Sequence, residues 1–354
     1  MKTILVTGGT GFIGSHVCLS LINSNYRVLI ADSNINSSKL SIKRIKKIFD
    51  QNDFSNYDID FKKGDIRDEK FLKNLFKREI ENNKPIEGVI HLAGLKSVEE
   101  STRYPLLYWD NNVYGSLNLL KTMKLFDCHR IVFSSSATVY GNSKINPIKE
   151  SFEVKPLNPY GHTKASIEFI LESIFESDRD NWHIANLRYF NPIGAHESGL
   201  IGEYPLNKPN NLFPYICNVA NGIYEKLNIY GNDWPTPDGT GIRDYIHVMD
   251  LADAHICALN YLLDNKSQIL TLNIGTGIGT SVLELVEAFQ EVNKIKIPFQ
   301  FCERRPGDVP ILIADNKIAS SLLKWGPKKD LKKMVRDGWR WRSLNPDGFK
   351  SIYQ

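Results

Sequence analysis

The chain has 354 residues, 42% of them apolar and 24% charged, the balance of a soluble globular protein too long for one small core. A formal net charge of +4 is too slight to point to a nucleic-acid partner, and no apolar run is long enough to span a bilayer. The five cysteines (Cys18, Cys128, Cys217, Cys257, Cys302) have neither metal nor redox spacing, so free thiols in a reducing cytoplasm are expected, with no metal site. The chain opens directly in its first strand, and no signal or transit segment is expected before it.

Ile4, Leu5 and Val6 read as a strand and residues 15–22 as a helix. Between them lies Thr7-Gly8-Gly9-Thr10-Gly11-Phe12-Ile13-Gly14. Gly9, Gly11 and Gly14 match G-x-G-x-x-G, and Gly8 adds the longer spacing G-x-x-G-x-x-G. A strand entering a helix through glycines gathers free backbone N–H groups and the positive helix end at one point. That is an anion site, and a pyrophosphate fits it. A second strand, residues 27–31, ends in Asp32, about 20 residues beyond the loop, where a carboxylate can hold the ribose diol of an adenosine. The alternative is an ordinary glycine turn followed by a surface aspartate.

After a polar turn over residues 34–38, Leu40, Ile42, Ile45, Ile48 and Phe49 recur at helical spacing. Lys39, Lys43, Arg44, Lys46 and Lys47 lie between them and read as a solvated face, or as one that attracts phosphate. Residues 59–63 form a short strand. Beyond it, Asp65 could accept from an adenine amino group, and Asp68 could cap a helix over residues 69–81. A fourth strand, residues 88–94, ends in Ala93 and Gly94, small enough for a cofactor to lie against the backbone. Lys96 follows on a loop, either touching that cofactor or standing as a surface lysine. Residues 108–126 read as a long helix with Asn111 and Asn112 near its start, and residues 130–133 as a fifth strand running into Ser134, Ser135 and Ser136.

This alternation predicts an α/β fold built on a parallel, doubly wound sheet, whose ligands bind beyond the carboxyl ends of the strands. The glycine loop, Asp32, Asp65, Ala93-Gly94 and Ser136 all fall at such ends. Asn158 then opens a helix running to about residue 175, with Tyr160 and Lys164 four apart on one face. A phenol is a poor base near neutral pH, but a nearby cation and an oxidised nicotinamide both favour the phenolate. Tyr160 could then take the proton of a substrate hydroxyl as hydride leaves the same carbon, with Ser136 hydrogen-bonded to that hydroxyl.

The glycine loop, Ser136 and Tyr160-x-x-x-Lys164 together resemble the extended short-chain dehydrogenase/reductase family. Several longer stretches resemble its UDP-galactose 4-epimerases: residues 91–96, 134–141, 187–196, Asn211-Leu212, residues 239–248 and residues 304–308. The likeness covers essentially the whole chain. It implies a Rossmann-type domain over residues 1–190, to which some later segments return, and a smaller mixed α/β lobe over residues 191–354 that takes a UDP-sugar. At matching positions it implies that NAD lies against Gly8, Gly11, Phe12, Ile13, Gly14, Asp32, Asn34, Asp65, Ile66, Leu92, Ala93, Gly94, Lys96, Asn111, Ser134, Tyr160, Lys164, Tyr189 and Phe190. Ser136 and Tyr160 would act at the sugar 4-hydroxyl, and Lys164 would hold the nicotinamide ribose and support the phenolate. Hydride would leave C4, the 4-keto sugar would turn over, and hydride would return to its other face, with no second substrate. The family also implies a homodimer, for which the helices near residues 110–126 and 160–176 are the natural candidates.

In the second half, residues 183–188 read as a strand leading to Phe190 and Asn191, and residues 197–210 as a loop over the site. A helix over residues 211–223 offers its N-terminus to a diphosphate, with Asn211 and Leu212 touching it. Residues 227–230, which include Asn228, form a strand beside the uracil, with Tyr230 as a flat surface. Arg243 and Arg305 are expected to clamp the diphosphate, Tyr245 to lie close by and Asp308 to accept from the uridine ribose. Asp244 could pair with an arginine. Residues 249–263 and 282–292 read as amphipathic helices, and residues 334–341 as helix packing. Ser136, Ala137, Thr138, Tyr160, Phe190 and Lys96 complete the sugar site that the likeness implies.

In epimerases of this kind the residue four beyond the Asp308 position gates the space around the sugar 2-substituent. A tyrosine there narrows the pocket, and here it is Leu312, which implies possible turnover of N-acetylated UDP-sugars beside UDP-glucose and UDP-galactose. A 4,6-dehydratase would need an acid and a base after the active-site serine, where this chain has Ala137 and Thr138. An ordinary dehydrogenase, or a non-catalytic NAD-binding regulator on the same fold, are the other readings.

Overall fold

The computed structural model describes residues 1–51, 57–143, 145–205, 209–305 and 307–350. Residues 206–208 of the expected loop over the site, and Pro306, lie outside the described residues.

Strand and helix alternate as β1 (Thr3–Thr7), α1 (Phe12–Asn23), β2 (Arg27–Asp32), α2 (Leu40–Gln51), β3 (Ile59–Lys63), α3 (Glu69–Glu81) and β4 (Ile86–His91). Asp68 caps α3 by accepting from the Phe71 N–H at 3.0 Å. The helix expected over residues 108–126 is longer and broken. It comprises α4 (Val98–Arg103), α5 (Pro105–Tyr108), a π-helical stretch at Trp109–Tyr114 and α6 (Gly115–Leu125). Proline fits the first turn of α5, where its missing N–H costs nothing, so the helical segment begins ahead of Tyr108. The π stretch carries Asn111 and Asn112, and local widening of this kind often marks a functional region. Then come β5 (Arg130–Ser136), α7 (Pro159–Ser177) and β6 (His183–Tyr189).

After β6 the chain builds β7 (Asn191–Ile193), α8 (Leu212–Ala220), β8 (Leu227–Tyr230), β9 (Ile242–Arg243) and β10 (Tyr245–His247). It returns to the main sheet with α9 (Val248–Asp264) and β11 (Gln268–Ile274). It then forms β12 (Thr280–Ser281), α10 (Val282–Asn293), β13 (Phe299–Cys302), β14 (Ile311–Leu312), α11 (Lys317–Leu323) and α12 (Leu331–Leu344). Helix α8 ends at Ala220 rather than residue 223, because Gly222 has φ +73° and no side chain to continue the apolar face.

Seven parallel strands form the main sheet in the order β11-β6-β5-β4-β1-β2-β3. Both faces are covered, which is why its strands read as continuous apolar runs. Alternate side chains go to opposite layers. Ile4 and Val6 pack with Val17 of α1 and Leu251 and Leu259 of α9, whereas Leu5 packs with Leu72 of α3, Leu119 of α6 and Ile167 of α7. A third core joins Phe213 and Ile216 of α8, Phe289 of α10 and Met334 and Val335 of α12. A small fourth one, containing Ala137, Tyr140, Phe190 and Ala314, lies where the chain leaves the sheet edge. No helix among the described residues is long and apolar enough to cross a membrane.

Candidate active site

At the end of β1, Gly8 takes φ +72° and its N–H donates to the Ala31 carbonyl at 2.9 Å. A Cβ on Gly8 would lie 2.7 Å from the Ala93 nitrogen, and one on Gly14 would lie 2.2 Å from the Gly8 carbonyl oxygen. Glycine is therefore required at both places, for the left-handed turn and for the close approach of α1 to it. Gly11 caps α1 without a side-chain partner, so the first N–H groups of the helix, those of Phe12, Ile13 and Gly14, stay free for an anion.

The buried Asp32 carboxylate accepts from the Thr10 N–H at 3.1 Å, the Asn34 N–H at 2.8 Å and the Ser37 hydroxyl at 2.9 Å. It thus already receives a hydroxyl as a ribose diol would present one. Asp65 is instead engaged by Arg67, which also reaches Asp110, and this pairing holds its carboxyl below the usual range. Ile66 packs into the core.

At the end of β4, His91 is held between the Thr7 hydroxyl (2.7 Å) and the Ser116 hydroxyl (2.8 Å). Burial lowers its pKa to about 3, so the imidazole is neutral. Leu92 and Ala93 follow with their N–H groups on the Thr7 carbonyl and hydroxyl. Asn112 fixes the next turn. Its amide accepts from the Leu95 N–H at 2.8 Å and donates to the Leu95 carbonyl at 3.0 Å and to Thr163 on α7 at 3.1 Å. Gly94 lies against the same amide, while Asn111 donates to it from its edge. The sequence reading singled out Asn111 for the cofactor and missed this clamp, since the partners of Asn112 are distant in the chain.

The residues expected to react converge at the ends of β5 and β6. Ser136 closes β5 and caps the turn Ala137–Tyr140, accepting from the Thr138 N–H at 3.2 Å and the Thr138 hydroxyl at 3.0 Å. Tyr160 enters from the first turn of α7, which Asn158 caps, and its phenol neighbours Ser136 and Tyr189, which stand side by side at the ends of β5 and β6. Burial, followed by the neighbouring Tyr189, raises the Tyr160 phenol well above its ordinary value. Lys164 is buried one turn further on. Its ammonium donates to the Ser134 carbonyl at 2.7 Å and stands 5.9 Å from the centre of the Tyr160 ring. Burial pulls it down to about 8, with Glu168 opposing. Glu168 itself forms a buried ion pair with Arg188 at 2.6 Å and receives the Ser135 hydroxyl, tying α7 to β5 and β6. Sequence spacing gave no sign of that pair.

From the lobe, Arg243 and Leu312 face each other across β9 and β14. The Arg243 guanidinium lies 3.8 Å from Asp308, and the phenol of buried Tyr245 is pushed up to about 12. Leu312 packs beside Phe190 and Ala137, and so borders the turn that carries Ser136. Arg305 lies 3.9 Å over the Tyr230 ring and donates to the Asn210 carbonyl, next to Asn211 and Leu212 at the start of α8. One face of Tyr230, the expected flat surface beside the uracil, is therefore covered by the arginine. Asn228 accepts from Gln300 on the neighbouring strand. Asp244 does not pair with an arginine. It accepts from the Thr276 N–H and hydroxyl and from the Gly277 and Ala314 N–H groups, closing two later loops on itself. The Asn191 N–H donates to the Asp244 carbonyl.

A family profile described as GDP-mannose 4,6 dehydratase matches residues 5–338. The UDP-glucose 4-epimerase of Bacillus subtilis is 47% identical over 98% of this chain and 99% of its own length. The chain belongs to the UDP-glucose 4-epimerase family. Crystal structures of two epimerases superpose closely on it. That of Stenotrophomonas maltophila, with NAD and formylated UDP-arabinopyranose, has a TM-score of 0.91 at 43% identity and covers 97% of this chain and 98% of its own. That of Bifidobacterium longum, with NAD+ and UDP, has a TM-score of 0.90 at 41% identity and covers 98% of this chain and 100% of its own.

Within this epimerase family, the positions after Ser136 bear on the dehydratase description of the broader profile. Eliminating water requires an acid and a base, and buried Ala137 and the hydroxyl of Thr138 supply neither. A dinucleotide fits the residues present, since glycines let the turn, the Ala93 backbone and α1 close together, the N-terminus of α1 has no side-chain cap, and Asp32 stands at the end of the next strand.

Proposed function

We propose that this chain interconverts UDP-glucose and UDP-galactose at C4 with resident NAD. The observation that carries the reading is the meeting of Tyr160, Ser136 and Tyr189 at one edge of the sheet, with Lys164 behind them and Leu312 of the lobe bordering the same turn. A nicotinamide held there would supply the hydride acceptor and donor for C4, with no net change in the cofactor over a cycle. The residues suited to hold it are the glycine loop, Asp32, Ala93, Gly94, Lys164 and Tyr189. Ser136 orients the 4-hydroxyl, and Tyr160 takes its proton and later gives it back. Arg243 and Arg305 hold the diphosphate, so that the hexose alone is free to turn. The buried side chains of Phe190 and Ala137 keep bulk water from the transient ketone.

On this reading residues 1–190, with α9 and β11, carry the dinucleotide, and the remaining segments carry the UDP-sugar. Leu312 leaves room for an N-acetylated sugar. Exposed Leu106, Leu107, Trp109 and Tyr114 near α5, and Phe169 on α7, support a homodimer through these helices. Five free cysteines suit the cytoplasm. The test is purified protein with UDP-galactose and no added cofactor, followed by NMR. Formation of UDP-glucose is expected, and none forming even after NAD is supplied sinks the reading.

A further inference from the structure

The loop after β4 meets a segment of the lobe. Lys96, on the loop after β4, places its Nζ 2.8 Å from Oε1 of Glu203, on the segment between β7 and α8. The lysine side chain is 55% exposed and the glutamate only 11%, so the carboxylate is the fixed partner. The lobe anchors it on both sides. The Glu203 carbonyl accepts from the Trp341 indole N–H at 2.9 Å. Gly202 is pressed so closely on that indole that a Cβ would lie 2.4 Å from the ring, and it bridges to Ala195. Trp341 is itself buried on α12.

The loop that carries Lys96 is tied to the reacting groups, since Asn112 bonds both Leu95 and Thr163 and the Thr163 hydroxyl donates to the Tyr160 carbonyl at 2.7 Å. Tyr189 feels the Lys96 cation, which works against the upward push of burial on its phenol. Tyr189 in turn neighbours Tyr160 and is paired with Ser136 across β5 and β6. A half-exposed ion pair contributes little to stability, and lysine on its flexible stem has no orientation of its own. What the carboxylate supplies is direction. We propose that Glu203 is a positioning residue that holds Lys96 against the Tyr189–Tyr160 end of the site. The lobe, through Trp341, thereby sets where that cation stands. This inference rests on the epimerase reading and adds to it a residue that no sequence motif indicated.

The test is a double-mutant cycle with Glu203→Gln, Lys96→Met and the double variant, together with Glu203→Asp. Epimerisation of UDP-galactose is measured beside the calorimetric affinity for UDP. Glu203→Gln is expected to lower kcat/KM by about tenfold, the scale of a coupled contact pair. It is expected to leave the UDP dissociation constant within about twofold of the parent. Glu203→Asp should recover most of the rate, and Glu203→Gln should add nothing in the Lys96→Met background. Full activity of Glu203→Gln, losses that multiply in the double variant, or a parallel fall in UDP affinity would each overturn the proposal. Should Glu203→Gln not fold, the aspartate variant and Lys96→Met still decide it, since a rate in Glu203→Asp lower than in Lys96→Met is not the behaviour of a positioning group. If the parent itself does not epimerise, the functional reading has failed rather than this one.

Discussion

The Lys164 ammonium donates to the main-chain carbonyl of Ser134 at 2.7 Å, inside a site where burial has already drawn its pKa down to about 8. Near neutral pH it is mostly protonated in the folded chain, and the low dielectric makes that charge costly. A fall from 10.5 to about 8 corresponds to about 3 kcal/mol. Lys164→Met is therefore expected to raise stability by about 1–3 kcal/mol at about pH 7 while abolishing epimerisation. The unfolded chain binds the proton more tightly between about pH 8 and pH 10.5, so stability contributed by this lysine rises with pH across that window. The advantage of the methionine variant should shrink over the same range. Denaturant melts near pH 7 and pH 10 check both points, and a variant less stable than the parent at both would remove the argument.

Tyr160 presents the opposite sign. Its phenol is held above its ordinary value by burial and by Tyr189, so without a positive nicotinamide nearby it is neutral. Tyr160→Phe removes the group that accepts the 4-hydroxyl proton and little else, because the ring remains. A drop in kcat of about 10²–10⁴-fold is expected, with UDP affinity and melting temperature close to the parent. Retention of full activity would return the chain to the non-catalytic reading.

His91 links β4 to Thr7 on β1 and Ser116 on α6, and it must be neutral to sit there. Its pKa is lowered to about 3, first by burial and then by the Lys164 cation, so the unfolded state binds a proton that the folded state refuses as pH falls below about 6.5. Stability is lost through that window at up to about 1.4 kcal/mol per pH unit from this histidine alone. His91→Gln is expected to be less stable near pH 7 but to lose stability more slowly between about pH 6.5 and pH 4. Urea titrations over that range measure the two slopes, and equal slopes would show that His91 is not the group responsible.

What could be read from the chain follows from how far each interaction reaches. The glycine turn, the Asp68 and Asn158 caps and the Tyr160–Lys164 spacing are each set by residues within one or two turns of one another, and the local pattern carries them. The sheet edge was legible because parallel strands buried on both faces are continuous apolar runs whose ends are marked by small and polar residues. The π stretch at Trp109–Tyr114 leaves no comparable mark, since the same residues satisfy ordinary helical spacing. Asn112 with Leu95, Glu168 with Arg188, and Lys96 with Glu203 are pairs made by topology. The expected arginine partner for Asp244 failed for the same reason. An aspartate beside an arginine in sequence points the other way across a strand, and here it met the backbone of two later loops.

The exposed apolar side chains at α5 and α7 make the assembly state measurable. Phe169 is 69% exposed and Leu106 81%, which water tolerates poorly for large side chains grouped on neighbouring helices. Phe169→Asp combined with Leu106→Asp is expected to convert a dimer of the parent chain to a monomer in sedimentation experiments. A parent that sediments as a monomer at micromolar concentration would remove the homodimer reading.

Leu312 bears on which sugars are turned over. It stands on β14 opposite Arg243 and packs beside Phe190 and Ala137, so a larger residue there must project toward the turn of Ser136 or displace that packing. Leu312→Tyr adds volume and a hydroxyl at this border. UDP-galactose turnover is expected to change by no more than about threefold, whereas turnover of UDP-N-acetylgalactosamine should fall by more than about tenfold, the discrimination a few atoms at a pocket wall can supply. Parallel assays on the two sugars, parent against variant, read the ratio directly. A parent inactive on the N-acetylated sugar would mean that another group closes the space around C2. The Ser136 turn and the Phe190 ring, which share that packing, would then be the next positions to vary.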